Sequence, residues 1–189
     1  MMRALIHVLA MAAAVAGIVH ITTVLLMPAY AQRDAWAVVA QAAPLHDVRL
    51  LARPWAPPRG DVPNQLQDDP AFATAACRFD LADGPVALEG DGDVPFWSAS
   101  VFDRSGRNVF SINDRTAIGR RLDVLVLDPA QEAQLKEASV TGFESAIKVV
   151  TPVAQGFVVL RAAAPERTQA ARAVEFLDGA TCERVTIEG

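Results

Sequence analysis

The chain has 189 residues and a formal net charge of -5, and 52% of its side chains are hydrophobic. That apolar content is uneven: the first 31 residues carry 24 of the 98 hydrophobic side chains and a single charge, Arg3. The remaining 158 residues hold 16 basic and 22 acidic side chains, which excludes a disordered chain, a collagen and a polytopic membrane protein. A net charge of -6 over that part also argues against nucleic acid as a partner, because phosphate binding needs a clustered basic face.

Residues 4–27 are uncharged. As a helix they rise about 36 Å, enough to cross the hydrocarbon of a bilayer. We read residues 1–31 as a signal-anchor for the bacterial inner membrane. The rival is a secretory signal peptide cut after Ala31, because Ala29-Tyr30-Ala31 has the small-x-small pattern of a cleavage site. Both readings export the rest of the chain, because Arg3 keeps the amino end in the cytoplasm. His20 and Thr23 interrupt the apolar run on one helical face, where polar groups can mark a partner helix.

Residues 32–68 are expected to form a membrane-proximal helix (32–43) and then a linker or strap. Six of the twelve prolines fall in 44–70, and proline cannot donate to a ladder. Trp55 and the Leu50-Leu51 pair suggest that part of this strap docks.

Residues 69–189 are expected to form the exported, periplasmic domain. Strand patterns cover Ala75–Leu81 and Val86–Glu89. From Phe96 to Asp103 the run alternates, with Trp97, Ala99 and Val101 on one side and Ser98, Ser100 and Phe102 on the other. A turn at 104–107 and a return over Asn108–Asn113 make a hairpin. Leu122–Leu127 is apolar on both faces, as a central strand should be. Asp128, Pro129 and Gln131 then spell the start of a helix ending near Ala138. Residues 146–151 and 156–162 suggest a strand pair joined around Pro152. Pro165 opens a second helix that Gly179 stops, and Thr181–Ile187 is the last strand. About eight strands and two short helices give a mainly β, antiparallel, sandwich-like domain with helices at its margin.

The two cysteines, Cys77 and Cys182, lie 105 residues apart, too far for a CxxC redox motif or a multi-cysteine zinc site. In an exported domain they are expected to form one disulfide. No histidine comes after His46, which removes Ser-His-Asp chemistry and histidine metal sites from the folded domain. No GxGxxG, P-loop or HExxH motif is present, and no cofactor is expected. Glu89, Asp91 and Asp93 alternate with glycines as in half a calcium loop, but the distal glutamate is missing. Ser98, Ser100, Asn108 and Asn113 are the candidate ligand-binding group beside the hairpin.

The run FWSASVFDRSGRNVFSIND (96–114) resembles the strand-turn-strand of bacterial proteins in the linked domain-of-unknown-function families 1254 and 1214. Residues 17–36, 69–81 and 156–165 are similar to a short, membrane-anchored branch of them. The resemblance implies a β-sandwich-like domain and carries over no catalytic residue. This chain is much shorter than two-domain members, so a companion small membrane protein of the same family is the expected partner. The role this implies is binding or envelope assembly; the alternative is an enzyme or small-ligand binder using the polar group near Trp97.

Overall fold

The computed structural model describes residues 2–63, 66–67, 69–138, 142–143 and 145–187, with backbone but not side chains for 28–35. The first helix, α1, runs unbroken from Met2 to Ala42. Its first part, Met2–Met27, is long and apolar enough to span a membrane, and none of it is buried in the domain. Its last turns are amphipathic, and Val39, Ala42 and Ala43 are buried. The helix carries no base in its own last turn. Arginines from the strands supply it instead: Arg49 Nη1 donates to the Ala42 carbonyl at 3.1 Å and Arg78 Nε to that of Ala43 at 2.7 Å. Cations there satisfy the open carbonyls and complement the helix dipole.

Among the described residues beyond α1 lie nine strands: β1 (Arg49–Ala52), β2 (Phe72–Asp80), β3 (Val86–Gly90), β4 (Trp97–Asp103), β5 (Asn108–Asn113), β6 (Leu122–Leu127), β7 (Ile147–Val150), β8 (Gln155–Ala163) and β9 (Thr181–Arg184). Two short helices, α2 (Pro129–Glu137) and α3 (Ala170–Asp178), lie between them. One sheet has the order β1-β2-β8-β4-β5 and the other β7-β6-β3-β9. The mainly β, antiparallel sandwich expected from the sequence is therefore the fold, with one exception in detail: β7 pairs with β6 in parallel.

The inner faces of both sheets share one core. Ala75, Cys77 and Phe79 of β2, Trp97, Ala99 and Val101 of β4, and Val158 and Leu160 of β8 meet Val86, Leu88, Val124 and Val126 from the second sheet. α3 adds Ala173, Phe176 and Leu177, and the Phe176 ring stacks on Trp97 at 6.1 Å. The Trp97 indole N–H reaches the Arg120 carbonyl at 2.8 Å, so burial strands no donor. Cys77 of β2 and Cys182 of β9 form a disulfide between the two sheets. Ile118 and Gly119, between β5 and β6, share a cleft with Ser145 and with Ile147 of β7, which places that loop beside β7.

Several elements differ from the sequence expectation. Residues 147–150 and 155–163 do not pair; β7 joins the second sheet, and β8 inserts between β2 and β4 at the centre of the first. Alternation sets which face a strand buries, not which strand it sits beside. β1 emerges within the proline-rich segment, where Leu50 and Leu51 pack and the strand pairs with β2. The second helix begins at Ala170 rather than Pro165, after a 3-10 turn over Arg167–Gln169. The last strand stops at Arg184. The α2 start matches the sequence expectation: Asp128 accepts from the Gln131 N–H at 2.8 Å, and the Gln131 side chain accepts from the Asp128 N–H at 3.0 Å.

The disulfide closes a loop of 105 residues. In the chain-entropy picture a loop of that size contributes about 4–5 kcal/mol, and measured losses run about 2–5 kcal/mol. The double variant Cys77→Ala/Cys182→Ala should lose about that much in denaturant unfolding of the oxidised protein. Thiol labelling of the denatured, unreduced wild type should find no free cysteine.

Candidate functional site

Strand alternation sends Ser98, Ser100 and Phe102 to the outer face of the first sheet, away from Trp97. Register fixes their neighbours. Thr74 of β2 lies opposite Arg161 of β8, Arg161 opposite Ser98 of β4, and Ser98 opposite Asn113 of β5. One row below, Val159 lies opposite Ser100, and Ser100 opposite Ser111. A groove of about 310 Å³ runs over these rows. Thr74, Ser98, Ser100 and Arg161 give its polar lining, with Phe102, Val159 and Leu66 on its apolar side.

The sequence-derived group divides here. Ser98 and Ser100 line the groove; Asn108 and Asn113 do not. Ser100 is tied to Ser111 at 3.0 Å, and Asn108 Nδ2 donates to the same Ser111 oxygen at 2.9 Å. The Asn113 side-chain oxygen accepts from the backbone N–H groups of Arg115 at 3.0 Å and Thr116 at 3.3 Å, closing its own turn. Asp114 and Arg115 also stay out of the groove. The Asp114 carboxylate pairs with Arg120 at 2.8 Å and is 3% exposed.

Two lining residues were missed from the sequence, Thr74 and Arg161. Each was flagged only by alternation within an apolar strand, between Ala73 and Ala75 and between Leu160 and Ala162. Arg161 lies 3.3 Å from Asp69 and stacks over the Phe72 ring, with 4.7 Å from guanidinium to ring centre. The hydroxyls of Thr74 and Ser98 on either side make no hydrogen bond to any described residue. A guanidinium between two free hydroxyls can hold a carboxylate or another oxyanion. Among the described lining residues there is no imidazole or carboxylate to take a proton from Ser98 or Ser100.

The acidic run Glu89, Asp91 and Asp93 does not converge. Glu89 lies in β3 opposite Asp123, Asp91 is 3.5 Å from Arg121, and Asp93 is 3.9 Å from Arg172. Among the described residues no three metal-ligating side chains come together.

At the far end of β4, Asp103 organises the hairpin turn. Burial pushes its carboxyl up, but the Ser105 hydroxyl, the Arg107 and Ser105 backbone N–H groups and the Arg107 charge outweigh it. The net pKa falls below the ordinary aspartate value. Arg104, next along, places its guanidinium 5.3 Å from the Trp36 ring of α1. Trp36 itself packs on Phe157, which stacks on Phe102 at 5.1 Å. The groove, the turn and the end of α1 thus share one face.

These features define a two-sheet β-sandwich led by a long apolar helix, with a polar groove on its helix-bearing face. The chain belongs to the protein family of unknown function DUF1254, which it matches over residues 70–184. Two crystal structures share its fold. A Vibrio parahaemolyticus protein superposes with a TM-score of 0.52 at 16% identity, over 83% of this chain and 36% of its own. An uncharacterised Burkholderia cenocepacia protein gives 0.50 at 10% identity, over 89% of this chain and 44% of its own. The chain therefore spans less than half the length of either. None of the curated proteins matches it.

Asp103→Asn should destabilise the domain at neutral pH. Because the folded pKa is lowered, the carboxylate's contribution is present above the unfolded value of about 3.9 and is lost as pH falls through the folded one. Denaturant midpoints of wild type and variant should therefore converge below about pH 4. Ser98→Ala should change stability by less than about 0.5 kcal/mol.

Proposed function

We propose that the protein is a single-pass inner-membrane protein whose periplasmic sandwich works as a binding or assembly module, in company with a second small membrane protein. The observation that carries this reading is the continuity of α1. The apolar span, the half-buried Trp36 and the buried Val39 and Ala42 belong to one helix. That continuity supports an anchor over a leader, because Ala29-Tyr30-Ala31 lies within the helix. The division into an anchor (1–31), a membrane-proximal segment (32–68) and a domain (69–189) fits this, with β1 of the middle segment built into the domain's sheet. The length relation supports the companion: solved proteins of this fold are more than twice as long as the part this chain covers. A companion small membrane protein of the same family would supply the complementary half.

A second reading rests on the groove. The free hydroxyls of Thr74 and Ser98 beside Arg161 favour a small molecule bearing a carboxylate or similar oxyanion, with its apolar part against Phe102 and Val159.

Expressed in a Gram-negative host, the full chain should stay in the membrane pellet after alkaline carbonate. It should keep its N-terminal segment by intact mass, and protease should reach the domain only once the outer membrane is opened. Release of a chain beginning at Gln32 would sink the anchor. Detergent extraction from the native membrane without a stoichiometric second chain would remove the companion.

A further inference from the structure

We propose that the edge of the sandwich formed by β5, β7 and the loop between β5 and β6 rests on the anionic headgroups of the membrane that α1 enters. The inference depends on the anchored reading above and adds a lipid-binding surface to it.

The direction of α1 supplies the geometry. Its end is held over β1 and β2 by Arg49 and Arg78. Trp36, two turns earlier, lies over Phe157 of β8 and beside Arg104 after β4. Followed back toward the span, the helix crosses the sheet from β2 toward β5. From Trp36 to Met27 it rises about 13 Å. One to two strand spacings of about 4.8 Å carry the sheet out to β5 in the same direction. Less than about 10 Å then separates the β5 edge from the apolar boundary, comparable with a headgroup layer of roughly 5–8 Å. The strand lies along the bilayer, with its unpaired side toward it.

The chemistry of this edge differs from the rest of the chain. Between Asp103 and Arg121 lie five arginines, Arg104, Arg107, Arg115, Arg120 and Arg121, and all five are exposed. The two acids in that stretch, Asp103 and Asp114, are buried and paired. Lys148 on β7 adds a sixth exposed cation. Arg121 lies 3.5 Å from the exposed Asp91; of the described residues further in, Asp123 sits on β6 bonded to Ser145, and Glu89 lies across from it on β3. A protein of net charge -5 thus presents cations along one edge. In their midst Ile118 is 70% exposed at the tip of the β5–β6 loop, where Gly119 takes a φ of 62°. Ile118 and Gly119 border the same cleft as Ser145 and Ile147, so the tip stands beside β7. Val150 on β7 is 41% exposed. An apolar tip ringed by arginines suits a surface that is anionic outside and hydrocarbon beneath. Charged residues also keep edge strands from pairing with one another, but that role is indifferent to lipid charge.

The test uses the full chain reconstituted in vesicles of phosphatidylcholine, with or without about a third phosphatidylglycerol. Backbone hydrogen exchange over residues 104–121 should slow severalfold in the anionic vesicles. Salt at about 0.5 M should reverse the effect, since it screens charges at the surface. Each arginine near an anionic surface contributes on the order of fivefold, so Arg107→Gln/Arg115→Gln/Lys148→Gln should abolish the difference. Ile118→Ser should weaken it. Arg115, Lys148 and Ile118 are exposed, and Arg107 pairs with Asp103 of the turn, so each variant is compared with itself in the two vesicle types. Equal exchange in both vesicle types, in protein that survives a carbonate wash, would overturn this surface and leave the anchor standing. Loss of the protein in that wash would overturn both.

Discussion

The seat of α1 on the first sheet is the contact on which the rest of the molecule's geometry depends. Trp36 packs on Phe157, Phe157 on Phe102, and Arg104 closes over Trp36. The last carbonyls of the helix are taken by Arg49 and Arg78. Apolar burial holds the helix down and the arginines fix where it ends. A connection made only of the proline-rich strap would leave the domain free to tumble on its span. Here the helix itself is part of the sandwich, so the direction of the span is tied to the direction of the strands.

The same junction explains why the strap is ordered where the described residues show it. The Trp55 backbone N–H bonds the Pro70 carbonyl, and its indole N–H bonds that of Ala164. Leu45 bridges to Arg78, and His46 accepts from the Asp80 N–H at 3.2 Å. These bonds give the strap's polar groups partners that strand pairing would otherwise supply. Arg59 and Arg49 share Asp61, whose carboxyl lies below its usual range chiefly through the hydrogen bond from Arg59. That cluster is exposed, and such pairs add little to stability.

Much of the fold was legible because local rules settled it. The alternation from Trp97 to Asp103 gave the inner and outer faces of β4 correctly, and the Asp128, Pro129 and Gln131 spacing gave the start of α2. Pairing was not legible. Residues 147–150 and 155–163 are both apolar enough to sit in either sheet, and contacts far away in sequence decide which one takes them. The candidate site suffered the same way. Ser98 and Ser100 could be picked out because the hairpin is local, but Thr74 and Arg161 become their neighbours only once β8 is known to lie between β2 and β4. Asn113 was drawn off by its own turn, a competition that short polar side chains often win. The arginines between 104 and 121 look scattered in sequence, because only the placing of β5 and its flanking turns brings them to one edge.

The position of β8 has a consequence for how the protein is made. It is the eighth strand in the chain and the middle strand of its sheet. A polypeptide made from its amino end presents β2 and the β4–β5 hairpin long before β8. Until residue 163 has emerged, both carry an open edge with unmet N–H and C=O groups, the feature that invites wrong pairing. Cys77 likewise waits for a cysteine 105 residues later. Completion of the first sheet and closure of the disulfide therefore come only when the last strands have been made.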